Sequence, residues 1–308
     1  GSIVKPDVVF YGGNAGMNAG KLEKTGIKSF SIDGTPAYNV GTSFSTPWVS
    51  RMAAELTHLV KEEFDPLLIR ALLIHNAKYP ANNSMSMTDK VTQMGFGAPS
   101  SVQEMLYNSE DEITLILRDT LEKGSFIEMF DFPFPESLVD KDGNFVGQII
   151  VTLVTKSLLD DKQAGEYCQS NIDILFGTYE TETDRDTSKK GIKNPKGLEE
   201  PQNILLESLY SARVKGAHPF TGFERECTLV KYGKKFHPVK KYAIDLSEMT
   251  TSNRQRYLRG DRKWYLKIEG LYRDFIEQDA RARNYQLSQE YCLLLTIRDP
   301  NGKAPVYD

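Results

Sequence analysis

PAYNVGTSFSTPWVSRMAAELTHLV, residues 36–60, passes from an alternating apolar segment through small hydroxylated residues into an apolar repeat of three- and four-residue steps. Val49, Met52, Ala53, Leu56, Leu59 and Val60 form one stripe, with Arg51, Glu55 and His58 on the other face. This spacing predicts an amphipathic helix from Ser43 to Val60. Ser43 therefore stands at a strand-to-helix junction. Amides at a helix start lack intrahelical acceptors and the dipole favours negative charge there, so an oxyanion forming beside Ser43 would be stabilised. Gly41 lets the chain turn and lets a substrate backbone come close, and Thr42 lies beside it. Pro47 is expected in the first helical turn, where its missing N–H costs little.

Upstream, KPDVVF reads as a short buried strand, GGNAGMNAG as a loop, and IKSFSI as a second alternating segment. Downstream, Asp65-Pro66 is a helix-start signal for LLIRALLIHNA, with His75 expected to cap its end. A polar loop over 80–92 and the turn GFGAPSSVQEML, with a short helix capped by Ser100 or Ser101, complete a mixed region ending near Asn108. Beyond it, EITLILR, SFIEMF, FVGQIIVTLVT, NIDILFGTY, CTLVKY, WYLKIEGLY and EYCLLLTIR are β-rich runs between charged or Gly/Pro loops. Seven or more strands imply a sandwich or jelly roll. The stretch 180–202 reads as a long exposed excursion, LYRDFIEQDARA as holding a helical turn, and KYGKKFHPVKK as a solvated basic face.

A net charge of −4 offers no basic field for nucleic acid, and no apolar run is long enough to cross a bilayer. Cys168, Cys227 and Cys292 lie far apart without CxxC pairs, which supports neither a zinc site nor a disulfide framework and favours a reducing compartment. Asp140, Asp142 and Asn144 lie in DKDGN, a hairpin turn rather than a calcium loop, and no metal or cofactor is expected. The aromatic EMFDFPFPES reads as an alternating strand. Gly1-Ser2 resembles a tag remnant, which places the natural N-terminus elsewhere.

GTSFSTP, residues 41–47, closely resembles the serine signature of the subtilisin family, Gly-Thr-Ser-x-Ala-x-Pro, with Ser45 in place of the usual alanine. KPDVV resembles the strand before the family's serine loop, and GFGAPSSVQEML its closing turn and helix, in the same order. The resemblance implies an α/β C-terminal part of a subtilisin-like catalytic domain over residues 1–108, followed by an all-β sandwich or jelly-roll domain over 109–308. It implies a serine endopeptidase acting on protein or peptide substrates through an acyl-enzyme on Ser43. The Ser43 N–H would form part of the oxyanion hole, and Gly41 and Thr42 would flank the scissile bond. The β sequence also looks like that of intracellular bacterial subtilases paired with an ATPase partner, which implies a cytoplasmic address.

In that family the triad runs Asp, His, Ser, yet the residues before Ser43 contain no histidine. His58 lies fifteen residues along the same helix, about 22 Å away at about 1.5 Å per residue. Asp7 and Asp33 read as structural, as do His75, His218 and His237. The chain is thus expected to need the N-terminal part of the catalytic domain as a partner and to be inactive alone. The alternative is a non-catalytic interaction module derived from a degenerate subtilase.

Overall fold

A computed structural model describes residues 4–61, 63–80, 85–180, 201–210 and 236–306. The expected strand CTLVKY, most of the 180–202 excursion, His218 and Cys227 lie outside these residues. Four helices dominate the first part of the chain: α1 (Thr42–Val60), α2 (Pro66–His75), α3 (Met87–Met94) and α4 (Val102–Leu106). Asp65 caps α2 by accepting from the Leu67 and Leu68 amides, and Ser101 caps α4 through the Glu104 amide, as the sequence signals predict. Helix α3 lies where a polar loop was expected; its start is capped by Ser86, whose side chain accepts from the Asp89 amide.

Two further expectations fail for local reasons. GGNAGMNAG forms a hairpin of β1 (Asn14–Asn18) and β2 (Lys21–Thr25), because Ala19 and Gly20 both adopt positive φ in a two-residue turn whose twist matches the strands. KPDVVF forms no strand. It makes only two backbone bonds to the glycine turn beside it, Phe96 N–H to the Asp7 carbonyl at 2.9 Å and Val9 N–H to the Gly97 carbonyl at 3.0 Å. Gly95 allows this approach: a Cβ there would lie 1.9 Å from the Pro6 carbonyl oxygen. The expected alternation does appear in the hairpin of β3 (Ile27–Phe30) and β4 (Pro36–Asn39), and β5 (Ala77–Lys78) pairs with β6 (Ala98–Pro99).

The remaining strands are β7 (Glu112–Glu122), β8 (Phe126–Phe132), β9 (Gln148–Thr155), β10 (Ser170–Tyr179), β11 (Gln202–Asn203), β12 (Val239–Asp245), β13 (Lys263–Tyr272) and β14 (Ser288–Arg298). They form two antiparallel sheets, ordered β12-β9-β14-β7 and β11-β10-β13-β8. The DKDGN segment is the expected turn, closed by Gly143 N–H to the Asp140 carbonyl, with the Asp140 carboxylate accepting from the Asp142 and Asn144 amides. In EMFDFPFPES, Phe132 and Phe134 pack into the core, where Phe134 stacks on Trp264 at 4.3 Å, while Phe130 packs against Tyr179 and Tyr265. Helix Asp274–Arg283 occupies the stretch where a helical turn was expected.

Strands β12, β9 and β14 of the first sheet are buried on both faces. Along β9, Ile149, Val151 and Leu153 share a core with Ile172, Phe176, Trp264 and Ile268 of the second sheet. Val154 instead joins Leu56 of α1 and Leu68, Leu72 and Ile74 of α2. The same alternation divides β14, where Leu293 and Leu295 face the second sheet while Cys292 and Leu294 face the helices. This explains why IIVTLVT and YCLLLTI read as nearly continuous apolar runs rather than as alternating ones. Helices, first sheet and second sheet form three layers.

Strand β12 corrects the expectation of a solvated basic face at Lys240 and Lys241, residues 231–235 of that stretch lying outside the described residues. Lys240 and Lys241 are both buried and, being neighbours on a strand, serve opposite layers. Lys240 Nζ donates to the Asn171 side chain and the Ile172 carbonyl, both at 2.6 Å, and pairs with Asp173 at 2.9 Å. Lys241 Nζ donates to the carbonyls of Ile74 and Ala77, at 3.1 and 2.7 Å, in and just beyond the last turn of α2. It meets the helix where unpaired carbonyls and the negative end of the dipole gather. We expect Lys241→Met, which takes the buried amine away from these carbonyls, to lower stability by about 1–3 kcal/mol, measured by urea denaturation.

Candidate active site

Helix α1 begins at Thr42, with Gly41 as its N-cap residue and no capping side chain. Ser43 is the second helical residue and is exposed. The Phe44 amide donates to the Gly41 carbonyl at 3.0 Å and closes a turn over Thr42 and Ser43. Among the described residues the Ser43 amide meets no backbone acceptor, which leaves it available as an oxyanion donor. The Thr42 carbonyl accepts from the Ser45 and Thr46 hydroxyls at 3.0 and 2.9 Å, so the hydroxyl of Ser45, standing where the family has alanine, helps fix the first turn.

Two local expectations change. Pro47 is the sixth helical residue rather than a first-turn residue, so the Ser43 carbonyl lacks the N–H it would receive from a non-proline at 47. Gly41 is extended, at φ 161° and ψ 159°, a conformation open to any residue, so the turn itself does not require glycine there. Thr42 is exposed and Gly41 half-buried beside Ser43.

No side chain of the described residues hydrogen-bonds the Ser43 hydroxyl as a base. His58 is exposed on α1, and His237 is buried just before β12. His75 ends α2 but does not cap it. It is buried, with Nδ1 2.9 Å from the Thr152 hydroxyl of β9 and Nε2 2.7 Å from the Thr296 hydroxyl of β14. A neutral imidazole presents one donor and one acceptor, which the two hydroxyls complement. Burial, together with Lys241 and Arg298, holds the His75 pKa well below its ordinary 6.5.

The two aspartates are structural, as expected. Burial tends to raise the Asp7 carboxyl, but hydrogen bonds from Arg70 and Lys5 prevail and hold it below the usual range. The Arg70 pair closes at 2.9 Å and ties the N-terminal segment to α2. Asp33 is pushed down to about 2 by the Ser31 hydroxyl and by Thr35, within its exposed turn. The sequence reading missed one contact: the Gly41 amide donates to the Gly12 carbonyl at 2.9 Å, and the only sign of it in the sequence is the glycine pair at 12 and 13.

Residues 1–99 match the model of the subtilase family, Peptidase S8. The match covers the Ser43 segment and ends in the closing glycine turn. No curated protein matches the chain.

The His75 environment has a thermodynamic consequence. Its folded-state pKa lies below the unfolded value near 6.5, so as pH falls below that value the unfolded chain takes up a proton that the folded chain refuses. Stability is therefore full above that value and is lost on acidification towards the folded pKa. Lowering the pH from about 7.5 to about 5.5 should reduce the urea midpoint, and by less in His75→Gln, which cannot titrate.

Proposed function

We propose that residues 1–108 are the C-terminal part of a subtilisin-like catalytic domain and that the parent protein is a serine endopeptidase. The observation that carries this reading is the exposed Ser43, with its amide unbonded at the start of α1, inside the segment that matches the subtilase family. The Ser43 hydroxyl attacks the carbonyl carbon of a protein or peptide substrate, its proton passes to a histidine, and the Ser43 amide bonds the oxyanion. The leaving amine departs with that proton and water then hydrolyses the acyl-enzyme. Gly41 and Thr42 flank the scissile bond.

The histidine, its aspartate and a further oxyanion donor come from the upstream part of the catalytic domain, without which the present chain is inactive. Tyr11 and Phe30, at 75% and 76% exposure, and the exposed Ile32, Tyr38 and Trp48 form the apolar surface on which that part packs. The two sheets form a β-sandwich that braces α2 from behind and serves as the docking side for an ATPase partner in the cytoplasm. The same exposed apolar residues favour one rival, a non-catalytic module that binds another protein through them.

Labelling of the full-length natural protein with a fluorophosphonate separates the two. The protease reading expects an adduct on Ser43, its loss in Ser43→Ala together with several orders of magnitude of peptide cleavage, and no adduct on the present chain alone. Absence of an adduct on the intact wild-type protein would overturn it.

A further inference from the structure

We propose that Gly12 is a positioning residue for Ser43, holding the start of α1 in register through the Gly41 peptide. This deepens the protease reading and rests on Ser43 being the nucleophile. The two glycines differ in what surrounds them. A Cβ built on Gly41 would meet nothing nearer than Phe44 Cδ2 at 3.9 Å. A Cβ built on Gly12 would lie 2.8 Å from the Gly41 carbonyl oxygen, a backbone atom that can yield only by moving the turn, and 3.6 Å from Ser45 Cβ. The glycine that folding requires at this site is therefore Gly12, outside the GTSFSTP motif.

The contact works in both directions. Gly12 O accepts the Gly41 N–H at 2.9 Å, and the Gly41 carbonyl facing Gly12 accepts the Phe44 N–H that closes the turn over Thr42 and Ser43. A methyl group at position 12 pushes that carbonyl away and opens the turn, which shifts the Ser43 amide. Neighbouring glycines press from the same side. Cβ atoms on Gly13 and Gly26 would come within 3.0 Å of Asn39 O and 2.5 Å of Asn39 N, so residues 12–13 and 26 crowd the backbone that leads into the nucleophile turn.

The test needs no triad. In the present chain, a thiol introduced by Ser43→Cys stands at a helix start, and its alkylation by iodoacetamide, followed by peptide mass spectrometry across pH, reports how the first-turn amides face position 43. Its pKa is expected below the ordinary value of about 8.5. Adding Gly12→Ala should raise it by about one unit and slow alkylation at neutral pH about tenfold. Adding Gly16→Ala, where a Cβ meets nothing within 4 Å, should leave it unmoved. Equal titration in the Gly12→Ala and Gly16→Ala backgrounds would overturn the proposal.

Amide exchange in the unsubstituted chain gives a second readout that does not depend on the variant folding. The Gly41 amide should exchange far more slowly than the Ser43 amide, and equal rates would overturn the tether. Neither result depends on cleavage, so a full-length protein that takes up no fluorophosphonate would sink the protease reading while these measurements still judged the contact itself.

Discussion

The structure depends on a sheet that is apolar on both faces. Strands β9 and β14 cannot leave either side in water, so the second sheet covers one face and helix α2, with α1 packed on it, covers the other. Docking a helix end onto a sheet raises a problem of unpaired carbonyls, which the buried amine of Lys241 answers at Ile74 and Ala77. His75, one residue beyond Ile74, places its ring between Thr152 and Thr296 on neighbouring strands. Apolar contact supplies the attraction between layers, and these polar contacts fix the register in which they meet.

That arrangement reaches Ser43 through packing. Leu56 of α1 is fully buried in the core it shares with α2, and Asp7 reaches Arg70 of α2 from the segment that precedes Gly12. The elements that carry and tether Ser43 therefore rest on α2, and α2 rests on the sheet. The sheets do more than follow the Ser43 segment in sequence: they supply one wall of its core.

Much of this was legible in the sequence where one physical signal dominated. Asp65-Pro66 and Ser101 marked helix starts because capping is local, and the stripe from Val49 to Val60 marked α1 because the apolar period is long. GTSFSTP, also a local motif, lies in the segment that matches the subtilase family. The errors lie where tertiary context overrode a local rule. The lysines that end KYGKKFHPVKK read as solvated because a lysine's usual partner is water, whereas Lys240 and Lys241 each found buried acceptors in opposite layers. GGNAGMNAG read as loop because its glycines and asparagines are turn formers, yet only Ala19 and Gly20 are used as the turn. The role of Gly12 was illegible, since a close approach between backbones 29 residues apart leaves no local pattern beyond the glycine itself.

Native-state amide hydrogen exchange of the present chain tests the central claim, that helices and first sheet form one cooperative core through α2. The account predicts that amides of α2, β9 and β14 share the slowest exchange and open only with global unfolding, at one common free energy. Exchange of the α2 amides through a separate, much lower-energy opening, while β9 and β14 stay protected, would contradict it.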